Sequence, residues 1–265
     1  MPSTKDTIRS IAYDQHEILY NIMQLHNGGE PFECDMTYSK GAFYGDYNVT
    51  TIDGEKKTVS IPRPKHTFDV SPQDEETVKI EPDGNLPLED NSIGSVCFDP
   101  PFVISCGPSM EGPDYDENGK RVKNNMISRR FSSYYPAYEL TRSYLHWMKE
   151  IYRVLQPNGI AVVKCQKTIT GSKALNSPEY LWFVGECLGF DMIDSFMLLA
   201  KMRLISGKVN KQQHSRRFES EFLVFKKSQS KKFRYLQFLS EQDAEELMSN
   251  FIANNLPRRR NNNGC

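Results

Sequence analysis

Four consecutive residues, Asp99-Pro100-Pro101-Phe102, carry the most specific chemistry in the chain. Two prolines in a row remove two backbone N–H donors and fix φ, so the segment is stiff and rich in acceptors. Asp99 precedes a proline and is driven into extended backbone. The product is a rigid set of acceptors, a carboxylate and a carbonyl, beside an aromatic ring. An exocyclic amine on a nucleobase matches that set. Asp99 and the Pro100 carbonyl each accept one N–H, and Phe102 offers its face to the ring. An ordinary turn after a strand is the plainer reading, and the tetrapeptide alone leaves both open.

The loop needs a strand to deliver it, and the apolar run 94–98 (Gly-Ser-Val-Cys-Phe) reads as one. Asp-Pro-Pro-Phe after such a strand resembles the catalytic loop of the S-adenosylmethionine-dependent amino-methyltransferases, which methylate adenine N6 or cytosine N4. Asp-Pro-Pro-aromatic is similar to the adenine enzymes; the cytosine enzymes more often carry Ser-Pro-Pro-Tyr. The resemblance implies catalytic roles for Asp99, Pro100, Pro101 and Phe102. It implies S-adenosylmethionine as cofactor, no metal, and a base flipped out of the DNA duplex at a cost of a few kcal/mol. Transfer would be a direct in-line displacement.

Upstream, residues 32–44 read as a short strand, a tight turn and the start of a helix or loop. In the class I methyltransferases that stretch resembles, an acidic strand end and a Gly-rich turn meet the methionine part of the cofactor. The resemblance assigns Asp35, Thr37, Tyr38 and Gly41 to it. Ser39 departs from Gly-x-Gly, and serine fits there only where φ is not positive. Residues 65–70 read as a second strand ending in Asp69, placed to accept ribose hydroxyls. Residues 50–65, with Asp53-Gly54, read as a hairpin tip or surface excursion. Asp83, in a polar turn before Leu86-Pro87, is the candidate contact to the cofactor adenine.

Before and after these motifs the periodicity is clear. Residues 13–25 carry a helical apolar stripe, with Asp14 as N-cap and Asn27-Gly28-Gly29 as stop. Residues 136–155 form a long amphipathic helix, closed by Leu155-Gln156-Pro157-Asn158-Gly159. A buried strand follows at 160–165. This helix–turn–strand unit resembles the fifth-strand unit of class I methyltransferases, which puts Lys164, Cys165 and Gln166 at the active-site edge, Gln166 as a substrate contact or a plain polar strand end. A helix is expected over 179–188, and strands over 191–202 and 218–226 close the sheet as an antiparallel hairpin. Strands alternating with helices argue for a doubly wound α/β sheet. With the resemblance, the expected fold is the Rossmann-like class I methyltransferase fold, mostly parallel with an antiparallel last strand and helices on both faces.

Two stretches look outward to a nucleic acid. Residues 103–136 lack periodicity and follow the catalytic loop directly, as a lid or target-recognition loop would. Arg129 and Arg130 there suit phosphates, and Tyr134 suits stacking. Residues 203–217 are basic and rich in amides, with Lys208, Lys211, Gln212, Arg216 and Arg217 as candidate phosphate and base-edge contacts. Charge supports this division. Residues 69–120 hold thirteen acidic and two basic side chains, whereas 201–234 hold eleven basic and two acidic, although the whole chain sums to −1.

The six cysteines form no Cys-x-x-Cys pair, which argues for reduced thiols rather than a zinc site or disulfide framework. No run of 18 apolar residues and no apolar leader core occurs, so a cytoplasmic protein with no membrane partner is expected. Residues 1–227 read as the methyltransferase domain, and 228–265 as a basic linker, a helix and a tail. The wider arrangement resembles short stand-alone DNA adenine methyltransferases of bacteria and phages, a class that includes restriction–modification enzymes. The expected partner is DNA, with RNA possible. The RNA adenine-N6 and DNA cytosine-N4 reactions are the neighbouring readings. A nucleic-acid-binding protein on a methyltransferase scaffold without turnover is the reading from another class. Monomer and homodimer both stay open.

Overall fold

A computed structural model of the chain describes residues 7–82, 84–102, 137–170, 173–201, 214–215, 217–228 and 241–255. The first helix, α1 (Gln15–His26), starts where Asp14 accepts the His16 N–H through its side chain. Gly28 and Gly29 follow it at positive φ, with the Gly29 N–H bonded back to Met23 O. The expected strand ending in Asp35 is β2 (Cys34–Asp35), after a short leading strand, β1 (Ile11–Ala12). An antiparallel hairpin, β3 (Gly45–Thr50) and β4 (Lys56–Ile61), then leads to β5 (His66–Asp69). After it come β6 (Val78–Lys79) and β7 (Ile93–Phe98). The second half runs through α2 (Ala137–Val154), β8 (Leu155–Cys165), β9 (Thr168–Thr170) and β10 (Lys173–Leu175). It continues with α3 (Ser177–Leu188), β11 (Phe190–Leu199), β12 (Glu219–Lys227) and α4 (Glu241–Asn255).

Eight strands form one sheet in the order β1-β11-β12-β8-β7-β2-β5-β6 among the described residues. Only β12 runs antiparallel to its neighbours; the other pairings are parallel. Leaving out β1 and numbering the rest in chain order, the sheet reads 3-2-1-4-5-7-6. This is the doubly wound order with an antiparallel strand slipped in before the end, the Rossmann-like class I methyltransferase fold.

Both faces of the sheet are buried, and side-chain alternation sorts the core into two layers. Val96, Phe98, Ala161, Val163, Leu223 and Phe225 point to the layer containing α2 and α3. Cys97, Ile160, Val162, Phe222 and Val224 point to the layer containing α1 and Ile61 of the hairpin. A Cβ at Gly185 would meet the Phe225 ring at 2.6 Å, so glycine is what lets α3 lie close on β12. Lys227 holds the end of α2 by donating to Tyr152 O and Leu155 O. Phe251 of α4 stacks edge-on against Phe183 of α3 at 4.8 Å.

The structure differs from the sequence reading in the first half of the sheet. No helix follows the turn after β2: the β3–β4 hairpin makes that crossover and packs Val49, Val59 and Ile61 inward. The residues described between β6 and β7 hold no helix either. Strands β1, β6, β9 and β10 were not foreseen; at two or three residues each they are fixed by their neighbours, not by local pattern. Asp83, residues 103–136, the loop residues Lys208, Lys211, Gln212 and Arg216, the linker 229–240 and the tail 256–265 lie outside the described residues. Among those described, no helix is long and apolar enough to cross a membrane.

Candidate active site

Strands β2 and β7 are adjacent and parallel, and they flank the point where the chain reverses its order of strand addition. The carboxyl ends of such strands open a crevice. Asp35 ends β2 and Asp99 follows β7 directly, so both carboxylates arrive at that crevice. A cavity of about 300 Å³ fills it. Its lining includes Asp35, Thr37, Tyr38, Asp69, Asp99, Pro100 and Pro101 from the sequence reading. Phe102 is half-buried and is not among the described residues that line the cavity.

Thr37 joins the two loops. Its hydroxyl donates to Asp35 Oδ1 at 3.3 Å and accepts the Asp99 backbone N–H at 2.7 Å. Asp35 is almost wholly buried, and it also accepts the Thr37 N–H at 2.7 Å and the Tyr44 hydroxyl at 2.6 Å. Its oxygens therefore brace the turn from beneath. Burial, with the Asp99 charge adding to it, pushes the Asp35 carboxyl up to about 7, against the pull of the Tyr44 and Thr37 hydrogen bonds. The Tyr44 hydroxyl is likewise pushed well up by burial and by Asp35. A proton held more tightly in the folded state than in the unfolded chain makes stability fall as pH rises from about 4 to about 7. Urea unfolding from pH 5 to pH 8 is expected to show this loss, and Asp35→Asn should flatten it.

The turn after β2 keeps two left-handed residues, Ser39 at φ +51° and Gly41 at φ +68°. The expectation that Ser39 would sit only at negative φ is thus corrected. Asp69 is the reason: its Oδ2 accepts the Ser39 N–H at 2.8 Å, and its Oδ1 accepts the Ser71 N–H at 2.7 Å. Left-handed backbone costs a non-glycine residue roughly 1–2 kcal/mol. Ser39→Gly is expected to raise stability by about 1 kcal/mol, read as an increased midpoint in urea unfolding with an unchanged slope. Each Asp69 oxygen keeps a lone pair for a further donor.

Lys164, expected at the active-site edge, lines the cavity, and so do members that sequence reasoning missed. Gln15 and Phe43 lie at the Asp99 end, with Lys164 of β8. Val70, Gln73, Ile80, Pro82 and Trp147 line it as well. Lys164 Nζ is 3.0 Å from Asp99 Oδ2. A lysine inside the apolar run 160–165 was the available signal for this pairing. Tyr144 donates to Pro101 O at 3.4 Å, tying the Asp99–Phe102 loop to α2. Gln166, foreseen as a possible substrate contact, is buried and donates to Glu219 O. Arg217, the one nucleic-acid candidate within the described residues, lies 3.7 Å from Glu219 and does not line the cavity. No group of three or more His, Cys, Asp or Glu that could hold a metal ion occurs among the described residues.

No family model matches the sequence, and no curated protein matches it. Among solved structures the chain is similar to a provisionally assigned DNA modification methylase of Thermus thermophilus, complexed with S-adenosyl-L-methionine, at 13% identity and a TM-score of 0.34. That match covers 60% of this chain and 56% of that one, so the chain spans about half the length of the Thermus protein. A provisionally assigned methyltransferase of Haloferax volcanii, in complex with the activator Trm112, matches at 11% identity over 82% of this chain and 94% of that one, with a TM-score of 0.40. The [4+2]-cyclase SpnF matches at 11% identity over 80% of this chain and 81% of that one, also at 0.40. At these scores the fold rests on the chain's own strand order, which is that of the class I methyltransferases.

Proposed function

We propose that the chain transfers a methyl group from S-adenosylmethionine to an exocyclic nucleobase amine, adenine N6 in DNA. The observation that carries this reading is the convergence of the Asp99-Pro100-Pro101 loop and the Asp35–Gly41 turn on one cavity, pinned to each other through Thr37.

The residues of the cavity fit the cofactor. Asp69 and Asp99 set carboxylate oxygens on the cavity for a ligand with cationic centres. Gly41 is not among the residues lining the cavity; a Cβ there would stand 2.5 Å from Tyr38 Cζ, so the glycine makes room for the Tyr38 side chain, which does line it. Val70, Ile80, Pro82 and Trp147 supply apolar surface for an adenine ring, and the spare lone pairs of Asp69 suit ribose hydroxyls. When bound, the cofactor supplies an electrophilic methyl. The chain supplies orientation. Asp99 and the Pro100 carbonyl each accept one N–H of the target amine, which turns the nitrogen lone pair away from them. Such positioning replaces the need for a strong base. The surplus proton leaves to water once the new N–C bond has formed.

Adenine is favoured over cytosine by the aspartate at the head of the loop, and DNA by the likeness to the stand-alone enzymes. The test is calorimetric titration with S-adenosylmethionine, followed by transfer to unmethylated DNA. Saturable binding with turnover supports the reading. Absence of both removes it.

A further inference from the structure

We propose that Lys164 is a positioning residue for this transfer: it grips the Asp99 carboxylate by Oδ2 and so presents Oδ1 to the incoming amine. The inference rests on the function proposed above. Sheet register brings the two residues together. Phe98 of β7 pairs with Val163 of β8 in parallel, so the next residues along, Asp99 and Lys164, emerge side by side at the crevice. Lys164 Nζ then lies 3.0 Å from Asp99 Oδ2 and 3.3 Å from Gln15 Oε1. On its flanks are two aromatic rings, Phe43 with its centroid at 5.1 Å and Phe222 at 5.6 Å. Phe222 is the residue directly opposite Lys164 on β12.

The Lys164 side chain is only 12% exposed. A lysine in a buried strand is costly unless its charge is paired and its donors are used. A core strand has no need of one, and valine would serve the packing. What this lysine touches is the acceptor of the proposed reaction. The backbone of Asp99 is held independently, through its N–H on Thr37 Oγ1. With the backbone fixed by Thr37 and Oδ2 fixed by Lys164, the carboxylate plane is set. Oδ1 takes no hydrogen bond from the described residues and is left for the amine. The rings over the ammonium restrict where Nζ can go, and cation–π attraction favours keeping it there.

The experiment compares Lys164→Met and Lys164→Arg with the wild-type full chain. Calorimetry gives S-adenosylmethionine affinity, thermal melting gives folding, and steady-state transfer to unmethylated DNA or RNA gives kcat and KM. For Lys164→Met, kcat is expected to fall about 100-fold, the size of effect that follows a loss of alignment at a reacting group. Cofactor affinity should stay within about threefold, and Lys164→Arg should recover about tenfold of the lost kcat, because a guanidinium can hold the same oxygen. In an Asp99→Asn background, Lys164→Met should cost little more, since the charge it holds is already gone. A Lys164→Met enzyme with kcat near that of the wild type overturns the inference and leaves the proposed function standing. So does a loss that tracks melting temperature and is not relieved by arginine. A wild-type chain that methylates neither polymer removes the proposed function, and this inference with it.

Discussion

Asp99→Ala is expected to lower methyl transfer by about 1,000-fold or more while S-adenosylmethionine binding changes by no more than about threefold. The asymmetry follows from where the carboxylate sits. Asp99 leaves β7 at the end of the cavity where Lys164, Gln15 and Phe43 gather. The features suited to the cofactor, the turn after β2 that carries Thr37 and Tyr38 and the Asp69 carboxylate, belong to other strands. Alanine keeps the strand and the prolines but removes an acceptor and leaves Lys164 without its anion. Some stability will be lost with the pair, and melting curves separate that from the loss of turnover. Asp99→Asn keeps the shape and one acceptor oxygen, and should retain more activity than alanine. Loss of cofactor binding in step with transfer would instead assign Asp99 to the cofactor.

The second large effect is expected at Gly41. Gly41→Ala must place a side chain at φ +68° and set its Cβ against the Tyr38 phenol. That ring cannot swing aside freely. It is buried, stacks on Tyr44 with centroids 5.5 Å apart, and carries the Arg63 guanidinium 4.6 Å from its centre. Left-handed strain of roughly 1–2 kcal/mol and overpacking of about 1–3 kcal/mol then act on the same turn. The expected outcome is a lower melting temperature and at least about a tenfold loss of cofactor affinity. The turn could relieve the clash only by moving Thr37, and with it the Asp99 loop, so kcat should fall as well. Unchanged binding and melting would mean that the turn tolerates a Cβ and does not cradle a ligand.

The parts of the site that were legible in the sequence are those set by local chemistry. Asp99-Pro100 restricts its own backbone, and the apolar run before it has no other role than a buried strand. The helix over 137–154 follows from its 3.6-residue stripe, and the strand after it from its unbroken apolar run. Ser39 was misread because its left-handed φ is held by a carboxylate thirty residues away on another strand. Lys164 meets Asp99 through the parallel register of β7 and β8, which lie far apart in the chain and carry no sequence mark of their offset. The tip of the hairpin that replaces the first crossover helix was legible at Asp53-Gly54, whereas its arms carried only alternation at Tyr47/Val49 and Val59/Ile61. That pattern is as compatible with a loop as with strands until Ile61 is seen packing beside α1. Asp35 lines the cavity and also braces its own turn through Thr37 and Tyr44, a second role that depends on how the turn folds back over it and has no mark in the sequence.

The central claim is that Asp99 and its loop direct a methyl group onto a nucleobase amine. The most direct measurement is incubation of the full chain with isotopically labelled S-adenosylmethionine and either unmethylated genomic DNA or total RNA, followed by mass spectrometry of the digested nucleosides. Labelled N6-methyladenine in the DNA, absent when Asp99→Ala replaces the wild type, is the expected result. Label in N4-methylcytosine, or in RNA alone, would keep Asp99 in its role and change the substrate. No labelled nucleoside in either polymer, from a chain shown to be folded, would contradict the account.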